Sequence, residues 1–455
     1  MSKTSRDTIT VVGAGLAGTL LAVLLGQQGW RVALYERNPD PRRQRRPSGR
    51  SINLAIGERG RHALRRAGLL EAVDRFTLPM RGRTMHDEHG GLTHQPYGSD
   101  PREVVYSVHR ARLNRVLLDA AEATGRVSLH FGQALERIDF DQRELHLAGG
   151  DGHRRARYDV LVGADGGGSA VRRALAARHD LGVSEEVLEH GYLELEFPPG
   201  EGGAFRMAPD ALHIWPRGDF MLIALPNPGG SFTGTLFLSR SGEPGFDGLR
   251  DWPTQRAFLE REFPDAVPLL GDPEGDFRDN PVGLLGTIRC RRWHDGARVV
   301  LLGDAAHAVV PFHGQGMNAA FEDCEEFVDR LARIGPDWPA VFEDFEARRR
   351  DNANAIADMA LENYEIMRAS VRDPRFLLRK RLEHELERRH PRRFVARYSL
   401  VMFHRVPYAE CYRRGEVQAG ILDRLLDGVE RVEDVDYGAA EALVTARLEP
   451  IVEPG

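Results

Sequence analysis

The apolar and polar positions near the start of the chain follow the order strand, helix, strand. A β-branched run over 8–12 precedes an apolar helical stretch over 16–28, and a second strand pattern covers 31–35. Two later apolar runs, over 158–163 and 298–302, lead into an Asp-Gly and a Gly-Asp pair. Strands that alternate with helices are typical of a parallel sheet with crossover helices. These segments therefore predict a doubly wound α/β domain.

The hydrophobic pattern changes to a period of two residues between 187 and 239. Leu193, Leu195 and Phe197 alternate with glutamates there, as expected for a half-buried antiparallel strand. Further strand patterns cover 212–215, 220–225 and 231–238. The short turns between them leave no room for crossover helices, which favours an inserted antiparallel sheet.

The rest of the pattern is less regular. Two short strand patterns, over 79–86 and 95–98, lead out of the first domain, and a single helix is predicted to end at Val73. The stretch over 126–138 is predicted to return to the sheet. Beyond about residue 326 the chain is mostly helical, with faces rich in Arg and Glu.

Gly13, Gly15 and Gly18 follow the first strand with G-x-G-x-x-G spacing, and Glu36 ends the second strand. Such glycines allow a tight turn, a close approach to a pyrophosphate and close helix–strand packing, while the acid accepts hydrogen bonds from a ribose. The alternative is a secretory signal, because Lys3 and Arg6 precede an apolar run. No small-x-small cleavage site follows that run, so dinucleotide binding is favoured.

Composition and charge narrow the class of protein. The chain has 455 residues, a net charge of −6 and three scattered cysteines, Cys290, Cys324 and Cys411. This charge favours neither nucleic acid nor an anionic membrane as a partner. The cysteines fit neither a metal site nor a disulfide framework, so we expect no metal and a reducing, cytoplasmic compartment.

A basic segment over 37–50 follows Glu36 and is interrupted by prolines. It is either a solvated loop or a loop in which some arginines meet the adenosine diphosphate half of a cofactor. The sequence leaves both interpretations open.

Three separated motifs resemble those of the single-component FAD-dependent aromatic hydroxylases: Gly13–Gly18 with Glu36, the stretch 159–166, and the stretch 303–318. By this resemblance the first motif binds the adenosine end of FAD. The second is associated with flavin and NADPH, and the third meets the ribityl chain and the flavin ring. No second Rossmann fingerprint is present, so NADPH is expected as a transient co-substrate.

Within that family the chain resembles the kynurenine 3-monooxygenases of bacterial type, which lack a C-terminal membrane anchor. The matching segments are 50–55, 59–64, 213–217, 223–227, 303–318 and 321–324. The resemblance implies that NADPH reduces FAD, that O₂ forms a flavin C4a-hydroperoxide, and that L-kynurenine becomes 3-hydroxykynurenine. The aniline nitrogen of that substrate activates its own ring, so no catalytic general base is expected. His213, His307 and His313 are therefore expected to be structural.

The resemblance also implies a set of binding residues. Arg83 would pair with the substrate carboxylate with help from Tyr97, while Asn363 and Tyr398 complete the pocket. Further substrate contacts are expected from Phe237, Met367 and Phe312, although Phe312 is alternatively a loop anchor. The residues expected to bind the cofactor are Gly13, Gly15, Gly18, Glu36, Arg37, Ala55, Arg110, Leu135, Asp304, Gly316, Met317 and Asn318.

The sequence thus predicts an α/β protein with a Rossmann-like FAD-binding domain, an inserted antiparallel β-sheet substrate domain and a helical C-terminal region. The expected boundaries are 1–75, 103–183 and 285–325 for the FAD-binding domain, 76–102 and 184–284 for the sheet domain, and 326–455 for a helical region that covers the active site. The expected assembly is a monomer or homodimer. Two alternatives remain: a related flavin hydroxylase acting on another amino- or hydroxy-arene, and a flavin-binding redox sensor without turnover.

Overall fold

The computed structural model describes residues 7–44, 53–98, 100–150, 152–369 and 374–452, without the side chains of 367–369. The chain forms two compact units. The first unit comprises Met1–Phe76, Val108–Val187 and Gly286–Ala357. The second unit comprises Thr77–Ser107, Leu188–Leu285 and Asp358–Gly455.

Strands and helices alternate along much of the chain. Up to residue 123 the elements are β1 (Thr8–Val12), α1 (Leu16–Gln27), β2 (Arg31–Tyr35), β3 (Asn53–Ile56), α2 (Glu58–Arg66), α3 (Leu70–Asp74), β4 (Leu78–Met80), β5 (Gly82–His86), β6 (Leu92–Pro96), β7 (Val105–His109) and α4 (Arg110–Ala123). Up to residue 239 they are β8 (Val127–His130), β9 (Gln133–Asp139), β10 (Glu144–Gly149), β11 (Gly152–Arg157), β12 (Val160–Gly163), α5 (Ala170–Ala176), β13 (Ser184–Phe197), β14 (Ala211–Arg217), β15 (Phe220–Pro226) and β16 (Phe232–Ser239). The remaining elements are α6 (Trp252–Glu262), α7 (Pro273–Asp279), β17 (Gly283–Arg289), β18 (Val299–Leu301), α8 (Asp304–His307), α9 (Gly316–Ile334), α10 (Trp338–Ala369), α11 (Pro374–Arg389), α12 (Arg397–Phe403), α13 (Tyr408–Leu425) and α14 (Tyr437–Arg447).

The first unit contains a five-stranded sheet with the order β18-β12-β1-β2-β8. Every neighbouring pair in it is parallel. The strands are almost continuously apolar and buried, as expected for a parallel sheet covered on both faces. The predicted α/β class is confirmed. Because the strands are parallel, their carboxyl ends all lie at one edge of the sheet.

One local prediction in this unit is wrong. The single helix predicted to end at Val73 is two helices, α2 and α3, because Gly68 between them has a φ of 73° that ends the first one. The stretch over 126–138 is β-sheet as predicted, in two strands, β8 and β9, because Gly132 turns the chain between them with a φ of 66°. Strand β9 then pairs with β10, which also pairs with β11, in a separate antiparallel sheet that the sequence did not predict.

The second unit is built around a seven-stranded sheet with the order β17-β13-β16-β15-β14-β5-β6. Most of its pairs are antiparallel, as predicted, but β5 pairs with β14 in parallel. A long stretch of chain separates these two strands, so no hairpin forces them to run in opposite directions. The sheet is therefore mixed, which corrects the prediction of a purely antiparallel one.

One face of this sheet carries the core of the second unit. Trp215, Phe197 and Leu236 pack there against residues of α6 and of the segment that follows it, such as Phe258 and Phe263. The sequence analysis missed both α6 and α7. Each begins with an Asp N-cap and a Pro in its first turn, which are ordinary signals of a helix start.

The helices after residue 373 form a second, smaller core in the same unit. Leu382 and Leu386 of α11 pack with Ile421 of α13 and Val444 of α14. The second unit resumes at Asp358, within α10. Residues 316–357, which include α9 and the first part of α10, belong to the first unit. The expected start of a separate helical region at 326 stays a prediction.

Candidate functional site

Four residues with candidate roles follow strands of the parallel sheet at its carboxyl edge. Gly13 follows β1, Glu36 follows β2, Asp165 follows β12 and Asp304 follows β18. Open α/β sheets bind ligands in the crevice outside the carboxyl ends of their strands. The first unit therefore gathers all three sequence motifs at the edge where such a fold binds a ligand.

The glycine turn after β1 has the geometry that a dinucleotide requires. Gly13 has a φ of 105°, and a Cβ there would lie 2.4 Å from the carbonyl oxygen of Ala164. A Cβ at Gly18 would lie 2.0 Å from the carbonyl oxygen of Gly13, so α1 packs closely against the turn. A Cβ at Gly15 would meet no described atom within 4 Å. The backbone at Gly15 thus faces open space, which fits a pyrophosphate at the amino end of α1.

Glu36 is held in place by its neighbours. Its Oε2 accepts a hydrogen bond from the backbone N–H of Ala14 at 2.9 Å. Its Oε1 accepts from the backbone N–H of Asn38 at 2.9 Å and from the side-chain Nδ2 of the same residue at 2.7 Å. Because Oε2 accepts only one of these bonds, it keeps a lone pair for a ribose hydroxyl. Arg37 beside Glu36 is exposed.

The described part of the basic loop is partly structural. Arg42 pairs with Asp40, Asp119 and Glu122 at 2.8–3.1 Å. Residues 45–50 lie outside the described residues. Arg42 therefore holds the described part of this loop to α4.

Asp304 and Arg110 carry opposite charges on exposed side chains. Desolvation by the surrounding protein raises the pKa of Asp304, and the positive charge of Arg110 partly opposes that rise. Asp304 begins α8, directly after Gly303, whose φ is 61°. The pair presents a hydrogen-bond acceptor and a cation at the carboxyl edge of the sheet, which suits the hydroxyl groups and phosphates of a dinucleotide.

Helix α9 begins at Gly316, after a left-handed turn at Gly314 with a φ of 65°. The backbone N–H groups of its first turn, which include Met317, have no partner within the helix and favour negative charge. The Asn318 side chain is engaged: its Nδ2 donates to Ala55 and Gly314, and its Oδ1 accepts from Gly57. Any contact of Asn318 with a cofactor must therefore come from its backbone.

The sequence analysis missed Asp323, which organises this region. It is completely buried and accepts hydrogen bonds from the backbone of Gly303, from His307 Nε2 and from Arg349 Nε at 2.6–3.1 Å. Burial raises its pKa, but His307 and Arg349 more than offset this and hold it at about 2. The sequence feature that could have indicated Asp323 is an aspartate among the apolar positions of helix α9.

The other sequence-predicted residues of the first unit lie as follows. Asp165 holds the start of α5, since its carboxylate accepts from the hydroxyl of the N-cap residue Ser169 and from the backbone N–H of Ala170. Leu135 is half-buried on β9, and Phe312 is buried in the short 3₁₀ turn before α9.

In the second unit, strand β5 places its residues on opposite faces of the large sheet. Arg83 and Met85 share one face, and Thr84 and His86 share the other. Following the pairing from Met85 through Ile214 and the next two strands puts Phe237 on the Arg83 face. This face, which we call the Arg83 face, lies opposite the core at Trp215.

Arg83 forms a cluster with two tyrosines from distant parts of the chain. Its guanidinium carbon lies 4.7 Å from the ring centroid of Tyr398 and 5.5 Å from that of Tyr97, and the two rings stack at 5.7 Å. Burial lowers the pKa of Arg83, but the two phenol groups raise it above its usual value. Its buried Nε–H has no hydrogen-bond partner among the described residues. The structure thus brings together three of the residues expected to bind the substrate.

The remaining residues of this unit that are expected to bind the substrate lie on α10 and β16. Asn363 is half-buried on α10, next to Tyr364, whose ring packs 5.5 Å from that of His190 on β13. Phe237 packs 6.3 Å from Tyr192 and lies three strands from β5 in the sheet. Met367 lies in α10, but its side chain is outside the described residues.

On the core face behind Arg83 lies a buried polar chain. His213 Nε2 contacts the carbonyl oxygen of Ala208, His213 Nδ1 contacts His86 Nε2, and His86 Nδ1 contacts Asp265 Oδ2, each at 2.9 Å. The carbonyl oxygen of Ala208 accepts from His213 Nε2–H, so neutral His213 has an unprotonated Nδ1, which accepts from His86 Nε2–H. Burial lowers the pKa of His213 to about 4, so this residue is neutral. No pattern in the sequence indicated this arrangement.

The described ranges contain neither a membrane span nor a metal centre. No helix within them is long and apolar enough to cross a membrane. In the same part of the chain no group of three or more His, Cys, Asp and Glu residues could hold a metal ion.

Comparison with known proteins agrees with this arrangement. A family described as FAD binding domain matches residues 6–217 and 281–360. The chain is 49% identical over 453 residues to kynurenine 3-monooxygenase of Xanthomonas axonopodis pv. citri (strain 306), covering 99% of each chain. It is 48% identical over 448 residues to kynurenine 3-monooxygenase of Stenotrophomonas maltophilia (strain K279a), covering 98% of each.

Among solved structures, the tetrameric form of 2-methyl-3-hydroxypyridine-5-carboxylic acid oxygenase is similar, with a TM-score of 0.67 at 19% identity. That match covers 82% of this chain and 96% of the other, and it shows the shared fold. The predicted FAD-binding fold and family are confirmed. The chain belongs to the kynurenine 3-monooxygenase family of FAD-dependent monooxygenases.

Proposed function

We propose that this enzyme hydroxylates L-kynurenine to 3-hydroxykynurenine, consuming NADPH, a proton and O₂ and releasing NADP⁺ and water. The names of the relatives suggest this substrate. One observation on this chain carries the proposal: Arg83, whose buried Nε–H has no partner in the described part of the chain, lies against the rings of Tyr97 and Tyr398. A guanidinium among phenols is a site for a carboxylate, and kynurenine ends in an amino acid.

The first unit fits FAD. The open backbone at Gly15 and the amino end of α1 would hold the pyrophosphate, and Glu36 would accept from the adenosine ribose. Asp304 and Arg110 would meet the ribityl and phosphate part, and the first turn of α9 would favour negative charge on the ring system. Bound FAD would supply electron transfer from NADPH and activation of O₂.

The cluster in the second unit would bind the amino-acid end of the substrate. The guanidinium of Arg83 donates to the carboxylate in a planar fork, and the two phenol hydroxyl groups add further donors. The flanking tyrosine rings exclude water from the guanidinium, which strengthens the charge-assisted hydrogen bonds. Asn363 on α10 is the proposed partner of the amino group.

The aromatic end of the substrate would lie along the Arg83 face. Phe237 is on this face and is buried, so it offers an apolar surface for the ring. The contacts expected from Phe312 and Met367 stay predictions from the family resemblance. The aniline nitrogen of kynurenine donates electron density to the position that is hydroxylated, so no side chain needs to remove a proton first. His213 and His307 are held in buried hydrogen-bond networks and are proposed to be structural.

The test is product identification after incubation of the FAD-loaded enzyme with L-kynurenine, NADPH and O₂. We expect 3-hydroxykynurenine with one NADPH consumed per product. The decarboxylated analogue of L-kynurenine is the matched control, and it should bind poorly to the wild type and equally poorly to Arg83→Ala. Hydroxylation of another amino- or hydroxy-arene in preference to L-kynurenine would favour a related hydroxylase. Bound FAD without turnover of any arene would favour a redox sensor.

NADPH as reductant, a cytoplasmic location and a monomeric or homodimeric state are part of the same proposal. NADPH consumption in the product assay, set beside NADH consumption, tests the first. Light scattering of the purified FAD-loaded enzyme tests the oligomeric state.

A further inference from the structure

Helix α12 carries Tyr398 as its second residue, and several side chains hold its start. The backbone N–H of Ala396, which caps the helix, donates to Glu387 Oε1 at 3.0 Å. Arg397 pairs with Glu362 of α10 at 2.6 Å. Gln418 of α13 donates to the carbonyl oxygen of Val395 at 2.6 Å. The position of Tyr398 therefore depends on these contacts.

Glu387 is unusual among these residues because it is an acid in an almost dry place. Its exposed fraction is 3%, and its Oε2 has no hydrogen-bond partner in the described part of the chain. Burial raises its pKa to about 7, although the hydrogen bond from Ala396 opposes the rise. At neutral pH the side chain is thus close to the point where it loses its proton.

The charged groups around Glu387 reinforce this behaviour. Glu103, in the loop that follows Tyr97, and Glu383 on the same helix α11 both raise its pKa, while Lys380 lowers it. Lys380 itself pairs with Glu383 at 2.5 Å. His384 also lies on α11, and from α13 Arg414 donates to the carbonyl oxygen of Arg393 at 2.6 Å. Two carboxylates therefore repel an ionised Glu387, and the lysine that favours its charged form is already paired.

We propose that neutral Glu387 is a positioning residue that fixes the start of α12 and so holds Tyr398 against Arg83. This inference rests on the proposed function, because it makes substrate affinity depend on the state of Glu387. When Glu387 ionises, its negative Oε2 lacks a donor among the described residues, and the charges of Glu103 and Glu383 repel it. The side chain relieves this by moving toward water, which withdraws Oε1 from the N–H of Ala396.

The consequence is a pH dependence with a definite sign. Below a pH of about 7 Glu387 is neutral, α12 is held and the substrate carboxylate binds in the complete cluster. As the pH rises through that value the contact at Ala396 weakens, and the dissociation constant for L-kynurenine increases. The loss of one neutral hydrogen bond corresponds to roughly a 2- to 10-fold weaker binding.

The experiment measures the dissociation constant of L-kynurenine for the FAD-loaded enzyme from about one pH unit below to one unit above the pKa of Glu387, which is about 7. The wild type should bind about 2- to 10-fold more weakly at the upper end. Glu387→Gln keeps a neutral acceptor for the N–H of Ala396, so it should bind as tightly as the low-pH wild type at every pH. Glu441→Gln, at an exposed position of α14, is the matched control and should keep the wild-type profile.

Hydrogen exchange of the α12 amides gives a readout that needs no substrate. After correction for the intrinsic rate, protection of 397–403 should fall with rising pH in the wild type and stay constant in Glu387→Gln. A pH profile and an exchange pattern shared by wild type and Glu387→Gln would overturn the inference. Failure of the FAD-loaded wild type to bind L-kynurenine would instead overturn the proposed function, and the exchange experiment would still decide whether Glu387 holds α12.

Discussion

The two units prepare their candidate sites in different ways. The first unit uses the backbone: one short turn with Gly13, Gly15 and Gly18 sets the space for a cofactor, and strand ends bring the other motifs to it. The second unit uses side chains from β5, the loop after β6 and α12, which meet at Arg83. A site made of backbone is sensitive to added atoms, whereas a site made of side chains is sensitive to lost ones.

The largest effect is expected where the backbone turn has no room. Gly18→Ala places a Cβ 2.0 Å from the carbonyl oxygen of Gly13, so the first unit must shift, at a cost of about 3 kcal/mol. Chemical denaturation should show this loss together with loss of FAD.

Gly15 provides the contrast within the same turn. Its Cβ position is open, so Gly15→Val should change the stability of the FAD-free protein by only about 0.5 kcal/mol and still yield colourless protein. Full flavin occupancy in Gly15→Val would contradict the pyrophosphate assignment.

The second-largest effect concerns the core face behind Arg83 and depends on pH. The folded-state pKa of His213 is lowered to about 4, so the stability that its neutral form confers is present above about pH 6.5 and is lost as the pH falls toward 4. The loss should reach at most about 3 kcal/mol. Denaturation midpoints across this window should therefore fall more steeply for the wild type than for His213→Gln.

His153→Gln is the control for that measurement. Its imidazole is 81% exposed and pairs with Glu136 at the surface, so its removal should leave the pH profile of the wild type unchanged. If His213→Gln and the wild type lost stability in parallel, the imidazole of His213 would not titrate as described.

The contrast between backbone and side chains also explains what the sequence could predict. The glycine turn and the parallel strands lie in short segments whose spacing and apolar runs carry the signal. Strand β11 has no buried residue, so no alternation of apolar and polar positions marked it. The parallel pairing of β5 with β14 depends on a long-range contact. Asp323 and the chain from His213 to Asp265 are polar groups in a buried setting, which hydrophobic patterns do not detect.

The third effect tests the side-chain site directly. Arg83→Ala removes the charge-assisted hydrogen bonds to the substrate carboxylate, worth about 1.5–3 kcal/mol, so KM for L-kynurenine should rise about 10- to 150-fold. FAD content should not change, because Arg83 is in the other unit from the glycine turn. Arg83→Lys should recover only part of the loss, since a point charge lacks the planar fork. An unchanged KM with bound FAD would remove Arg83 from the carboxylate site.

The smallest effect separates the rings of the cluster from their hydroxyl groups. Tyr398→Phe keeps a ring 4.7 Å from the guanidinium but loses the hydroxyl that interacts with Arg83. A neutral hydrogen bond contributes about 0.5–1.5 kcal/mol, so the dissociation constant for L-kynurenine should rise about 2- to 10-fold. Tyr437→Phe loses a hydroxyl bonded to the backbone of Val432 and is the matched control, for which no change in binding is expected.

The decarboxylated analogue of L-kynurenine makes this last comparison specific. If the Tyr398 hydroxyl acts on the carboxylate, Tyr398→Phe should weaken binding of L-kynurenine and leave binding of the analogue unaltered. If both ligands lose affinity equally, the hydroxyl supports the shape of the cluster and not the carboxylate. Tyr97→Phe is measured in the same way, because the guanidinium of Arg83 also lies 5.5 Å from the ring of Tyr97. This variant shows whether both tyrosine hydroxyl groups donate to the substrate carboxylate. The double variant, with Phe at both positions, completes this comparison. If it loses more affinity for L-kynurenine than the sum of the two single losses, each tyrosine partly compensates for loss of the other. Such compensation is possible between side chains but not within the backbone turn of the first unit.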